Sequence, residues 1–248
     1  MDCDLLIVNG MVLDGTGAEA FNGAVAVRGA RIAAAGALAA SFKSPHVIDA
    51  KGKVVSPGFI DAHTHADFVI ASPLHHQLLE PFIRQGITTM VTGNCGASPA
   101  PVNHAFVDQL ATYWDCICPR EGLSWNWSTM AEFLSHLETL RPSVNVAQLV
   151  GHGVVRVNVM GFNRRGASRD ELRAMRKQIH QALEDGAIGL SFGLGYVPGV
   201  WADTEELIEV ARDVPNCGGR MTVHLRGQTK HFDRAADERA DYRNGRVG

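Results

Sequence analysis

Two patterns of apolar and polar positions follow one another along the chain. Over residues 4–36, short β-like runs alternate with turn residues. Asp4-Leu5-Leu6-Ile7-Val8 leads into Asn9-Gly10, and Met11-Val12-Leu13 into Asp14-Gly15-Thr16-Gly17. Gly23-Ala24-Val25-Ala26-Val27 and Arg31-Ile32-Ala33-Ala34-Ala35-Gly36 flank Arg28-Gly29-Ala30. An Asn-Gly pair between apolar runs is a strong hairpin signal. Residues 1–56 are therefore expected to form a small β-sandwich-like domain. Val47–Lys53 and Val54–Gly58 form the crossover out of it.

From residue 57 the pattern changes to alternating strand and helix. Phe59–His65 reads as a strand, and Pro73–Gln85 as a helix that ends at Gly86, a fitting C-cap. Thr88–Asn94 is the next strand, rich in β-branched residues. After a long aromatic connection, Ser128 is expected to cap a helix to about Leu140, with Glu132 near its start. Asn145–His152 reads as a third strand, and Ser168 opens a helix with Glu171 at capping-box spacing. Ala187–Phe192 and Arg220–His224 are strands on either side of a helix over Thr204–Arg212. Repeated strand–helix units imply a parallel sheet with right-handed crossovers. Chemistry-bearing residues at strand ends favour a barrel over a doubly wound sheet. The expected fold class is α/β: a partial (β/α)8 TIM-like barrel of about five units over residues 57–227, against the eight of a closed barrel. Residues 228–248 read as a polar tail without a strand pattern.

Composition narrows the function classes. Hydrophobic residues make up 46% and charged residues 20%, and 23 Lys and Arg stand against 26 Asp and Glu, a net charge of −3. No basic field argues for nucleic acid and no polybasic run for a membrane. The start, Met1-Asp2-Cys3-Asp4, is acidic where a signal peptide is basic, so a cytoplasmic location is expected. The five cysteines are scattered, which does not look like a disulfide framework. Gly151-His152-Gly153 lacks the third glycine of a dinucleotide fingerprint.

The candidate chemistry is metal binding. His63 and His65 close the first barrel strand with one residue between them, so two imidazoles can aim at one point. Neutral imidazole is the commonest protein ligand for zinc-like ions. Cys95 follows the second strand in Gly93-Asn94-Cys95-Gly96, and His224 ends the fifth. Taken singly, a strand histidine reads more readily as a core or surface residue and a small buried cysteine as packing, since it behaves as a hydrophobe. Four such residues, each closing a strand, favour a shared cation. His152 stays open: it either points at the site or stacks behind it. The remaining histidines (His46, His75, His76, His104, His136, His180, His231) fall in helix-like or loop stretches and read as structural.

At these residues the chain resembles the amidohydrolase superfamily, and within it the D-aminoacylase (N-acyl-D-amino-acid deacylase) group. The matching stretches are Asn9-Gly10, Asp14–Gly17, Val55–Asp67, Gly93–Gly96, Gly186–Gly199 and His224-Leu225-Arg226. The His-x-His strand belongs to the whole superfamily. The Asn-Cys-Gly turn and Gly-Leu-x-Tyr-x-Pro-Gly are more specific to the deacylase group. The resemblance implies a hydrolase with one or two Zn2+ ions that splits the amide of a small-molecule N-acyl-D-amino acid into a carboxylate and a D-amino acid. It implies that Cys95 and His224 hold the tighter zinc, that His63 and His65 lie at a weaker position, and that Tyr196 and Arg226 contact substrate. A histidine from the sixth barrel strand and a catalytic aspartate from the eighth are expected in the family and have no counterpart here, so the catalytic residue is left unassigned and a shortened or frame-shifted chain is expected. An unpaired barrel edge would then favour self-association. Two alternatives stand beside this reading: a metal-binding fragment without turnover, and a different amidohydrolase such as a cyclic-amide hydrolase. Asn94-Cys95-Gly96 speaks against the last, whose members commonly carry a modified lysine there.

Overall fold

The computed structural model describes residues 1–118, 123–227 and Ala236. The polar stretch 228–248, with His231, lies outside them apart from Ala236. The chain divides into two units, Met1–Gly58 and Phe59–Gly248.

In the first unit, apolar alternation builds one five-stranded sheet. It comprises β1 (Leu5–Val12), β2 (Phe21–Arg28), β3 (Arg31–Gly36), β4 (Val47–Asp49) and β5 (Val54–Val55). β1 pairs antiparallel with β2 and parallel with both β4 and β5. Cys3, Leu6, Ala24, Ala26, Ala39 and Phe42 form its core. Asn9-Gly10 does not make the expected hairpin turn. It lies inside β1 as an irregularity, with Asn9 at φ 56° and a register shift between Ile7 and Gly10. Pairing on both sides wins over the local turn preference. Leu6–Val8 pairs with β4 and Met11-Val12 with β5, while Gly52 N–H donates to the Asn9 carbonyl (2.8 Å).

The second unit holds two three-stranded parallel sheets. One contains β6 (Phe59–Asp61), β7 (Ile87–Thr92) and β8 (Asn145–Gln148). The other contains β9 (Val150–Gly151), β10 (Gly189–Gly193) and β11 (Arg220–His224). Among the described residues the strands do not close into a barrel. The connections carry α1 (Asp67–Ile70), α2 (His75–Leu78), α3 (Glu80–Ile83), α4 (Val107–Tyr113), α5 (Met130–Leu140), α6 (His152–Met160), α7 (Arg169–Glu184) and α8 (Thr204–Ala211). Phe68, Met90, Trp127, Phe133, Leu190, Phe192 and Leu207 belong to one core that joins sheets and helices.

Several elements depart from the sequence reading for identifiable reasons. The first strand stops at Asp61, before His63. Pro73–Gln85 is not one helix but α2 and α3, because Pro81 sits in the first turn of α3 and has no N–H to donate backwards. The cap of α5 is Thr129, not Ser128: Thr129 Oγ1 accepts from Glu132 N–H, and the Glu132 carboxylate returns a bond to the Thr129 N–H. Asn145–His152 splits at Leu149, so β8 pairs with β7 and β9 with β10. His152 therefore opens a helix instead of ending a strand. That helix, α6, carries four valines and reads as β from its side chains alone, yet it is almost entirely buried. Burial of the whole segment overrides propensity.

Ser168 caps α7 with the full reciprocal capping box. Ser168→Ala is expected to lower stability by about 1 kcal/mol. Urea unfolding measures this, and an unchanged midpoint would show that the cap contributes nothing.

Candidate metal centre

His63 and His65 follow β6 in a turn. Asp61 Oδ1 accepts the His63 N–H (3.1 Å), which bends the chain just past the strand. The two rings then meet edge to face with centroids 5.8 Å apart. They converge from a turn and not from one face of a strand, as their spacing had suggested.

Cys95 sits after β7 with φ 55°, in the left-handed region that non-glycine residues rarely adopt. Its Sγ is 3.3 Å from His63 Nε2 and 3.8 Å from His224 Nδ1 at the end of β11. One donor atom each from His63, His65 and Cys95 lies within 4.8 Å of the others. The Tyr196 hydroxyl stands 3.2 Å from His224 Nδ1, with the two rings 4.4 Å apart. The structure thus brings together all four candidate donors and Tyr196. A close backbone contact helps to fix the thiol: a Cβ placed on Gly193 would fall 1.9 Å from the Cys95 carbonyl oxygen.

The electrostatics favour the neutral forms of His65, His224, Cys95 and Tyr196. Burial lowers the His65 pKa, and the charges of His63 and His224 lower it further. Burial and then His63 lower His224. Burial pushes the Cys95 thiol up, and the same cause, followed by Cys95, raises the Tyr196 phenol. Neutral imidazoles expose lone pairs, which is the form that ligates metals. His65 Nδ1 is buried without a hydrogen-bond partner, an arrangement a cation would satisfy. A cation would also reverse the logic at Cys95 and favour the thiolate. The donor set of imidazoles and one thiol suits zinc.

Arg226 donates from Nη1 to the Val200 carbonyl (3.0 Å) and from Nη2 to the Ala202 carbonyl (2.8 Å). It ties down the loop after Tyr196. His152 is not in the donor cluster. It is buried, packs at a tilt against Phe192 with centroids 5.2 Å apart, and meets Glu206 Oε1 at 2.9 Å. Glu206 also accepts from Arg156 Nε (2.9 Å). Sequence reasoning assigned no role to Asp67, Arg156 or Glu206. Asp67 is buried, its Oδ2 accepts the Gly93 N–H (3.1 Å), and burial raises its carboxyl to about 7. The place of Asp67 two residues past His65 was the one available signal.

Residues 46–211 match the model of the amidohydrolase family. The chain belongs to that family. Within it, D-aminoacylase of Alcaligenes xylosoxydans xylosoxydans is 40% identical over 236 residues, which cover 95% of this chain and 47% of the relative. A D-aminoacylase structure described for the functional role of its binuclear metal centre superposes with a TM-score of 0.86 at 41% identity, over 98% of this chain and 49% of the other. N-acyl-D-glutamate deacylase from Bordetella bronchiseptica, complexed with zinc and a phosphonate that mimics the tetrahedral intermediate, superposes at 0.85 and 35% identity, over 99% and 50%. The chain spans about half the length of these relatives. The resemblance first seen in Asn94-Cys95-Gly96 and the Tyr196 loop therefore extends along nearly the whole chain, and the fold is the α/β fold of the D-aminoacylase structures.

Proposed function

We propose that His63, His65, Cys95 and His224 hold one or two zinc ions in a hydrolase that splits the amide of N-acyl-D-amino acids. The observation that carries this reading is the convergence of three donors within 4.8 Å, with the buried His65 Nδ1 atom left without a hydrogen-bond partner among the described residues. The family relatives, one a D-aminoacylase and one a zinc-bound deacylase, support the substrate class. When bound, zinc supplies a Lewis acid for an amide carbonyl and acidifies water toward neutrality. Cys95 Sγ lies near both His63 and His224, so it would contribute a thiolate donor to the ion or ions these residues hold. The Tyr196 phenol stays protonated and offers an O–H donor to the substrate beside His224. Arg226 shapes the loop that carries this donor, and its fork suits a substrate carboxylate.

A second reading, metal binding without turnover, is favoured by one observation. Among the described residues no carboxylate joins the three-donor cluster. Asp203 is occupied in capping α8 (2.8 Å to Glu206 N–H), and Asp213 pairs with Arg176. Purified protein is expected to contain zinc and to hydrolyse N-acetyl-D-methionine. Zinc without hydrolysis selects the second reading, and a chain that takes up no zinc overturns both.

The remaining assignments follow from the same reading. No helix among the described residues is long and apolar enough to cross a membrane, and the proposed location is the cytoplasm. Phe59 and Ile60 on edge strand β6 are 61% and 66% exposed, which makes that edge the proposed surface for self-association. Dilution in size-exclusion chromatography tests it: Ile60→Lys is expected to remove any larger species.

A further inference from the structure

Donor atoms on three separate chain segments must be set before a cation can use them, and a single buried side chain touches all three segments. Asn94 is fully buried in the turn after β7. Its Nδ2 donates to the Val91 carbonyl (2.9 Å) and, at 3.5 Å, to the Thr64 carbonyl, which belongs to the residue between His63 and His65. Thr64 N–H reaches the same Val91 carbonyl (3.3 Å). Asn94 Oδ1 accepts from Thr222 Oγ1 (3.1 Å), two residues before His224 on β11. Its own chain neighbour is Cys95. Ser191, paired with Thr222 across β10 and β11, closes the turn from below: its hydroxyl donates to the Gly93 carbonyl and accepts the Gly96 N–H (2.9 Å).

We infer that Asn94, locked to Thr222, is a positioning residue that sets the spacing of His63, His65, Cys95 and His224. The inference rests on the zinc reading above. An amide is suited to the task because it donates and accepts at once. Here the donor end holds the His63–His65 turn and β7, and the acceptor end holds β11. Ligand sites tolerate displacements of only about half an ångström. Outer partners of metal ligands are typically worth about 10- to 100-fold in affinity. Loss of this amide therefore acts on metal affinity and not only on stability.

The test compares zinc affinity by competition titration with the thiolate-to-metal charge-transfer absorption of the cobalt-loaded protein. Asn94→Ala is expected to weaken zinc about 10- to 100-fold and to reduce that absorption. Thr222→Val removes only the link to β11, keeps the side-chain shape, and serves if Asn94→Ala does not fold. It is expected to weaken zinc about tenfold, and Thr222→Ser to restore it. Asn158→Ala is the control. It removes a comparable set of bonds, from the Asn103 N–H and to the Pro101 carbonyl and Gln178, away from the cluster, and is expected to leave zinc affinity unchanged. Wild-type affinity in both Asn94→Ala and Thr222→Val overturns the inference, and so does an equal loss in Asn158→Ala. A wild-type chain that binds no zinc overturns the underlying metal reading and the inference with it, an outcome distinct from the other two.

Discussion

Cys95→Ala is expected to abolish zinc uptake by the protein. The thiol is the shared neighbour in the cluster, 3.3 Å from His63 and 3.8 Å from His224, so its loss disconnects the two sides of the site. The loss in affinity is expected to exceed about a hundredfold, above what removal of an outer partner costs. Stability follows by linkage. At zinc a thousandfold above its dissociation constant, the wild-type fold gains about 4 kcal/mol, and Cys95→Ala forfeits most of this gain. Cys217→Ala is the comparison: that thiol is exposed and lies 3.8 Å from His180 Nδ1, elsewhere on the surface. Zinc per chain by elemental analysis should fall in the first variant and hold in the second. Equal values in both would remove Cys95 from the ligand set.

Glu206→Ala is expected to produce the largest loss of stability. Glu206, His152 and Arg156 have side chains at most 1% exposed, and one carboxylate oxygen faces both partners at 2.9 Å. Burial pushes the Glu206 carboxyl up, but His152 and Arg156 together pull harder the other way, so it ionises below its ordinary value. Without it, the Arg156 guanidinium is left buried with, among the described residues, the Asn163 and Arg165 carbonyls as its acceptors. Breaking such a pair from one side costs about 3–5 kcal/mol. For a chain of this size that is roughly 6–20 °C in melting temperature. The pH dependence follows from the sign of the shift. A depressed carboxyl stabilises the fold above its unfolded pKa, and that contribution is lost as pH falls through the lower folded value. Glu206→Gln should therefore flatten the acid limb of the stability curve below the ordinary glutamate value of 4.5. A midpoint for Glu206→Ala within about 1 kcal/mol of wild type would show that the network carries little of the fold's stability.

Where local chemistry and tertiary packing agree, the fold can be read from the chain. Ser168 with Glu171 marks the start of α7, and Arg220–His224 is a strand in both views. Where they compete, the reading fails in a consistent direction. Asn9-Gly10 prefers a turn, but parallel partners on both flanks keep it inside β1 as an irregularity. Asn145–His152 reads as one strand, but the chain passes between two sheets at Leu149 and re-enters at His152 as a buried helix. The donors were visible because each combines a metal-binding residue type with a strand end. Asn94, Ser191 and Thr222 were not, since an amide or hydroxyl carries no sign of its partners in sequence. Arg226 shows what sequence leaves out: its type suggested a contact to substrate, and the structure adds its bonds to the Val200 and Ala202 carbonyls.

The missing side chain at Gly193 limits how the centre can be redesigned. Main chain rests against main chain there, so any substituent at position 193 would push the Cys95 carbonyl, and the sulfur with it, out of place. Exchanging the sulfur donor for a longer one, such as a carboxylate or an imidazole, thus becomes a problem in two strands at once. Libraries that vary position 95 while leaving β10 untouched would sample mostly misaligned sites, whereas joint variation of 95 with the 191–193 segment would let the new donor find its own backbone seat.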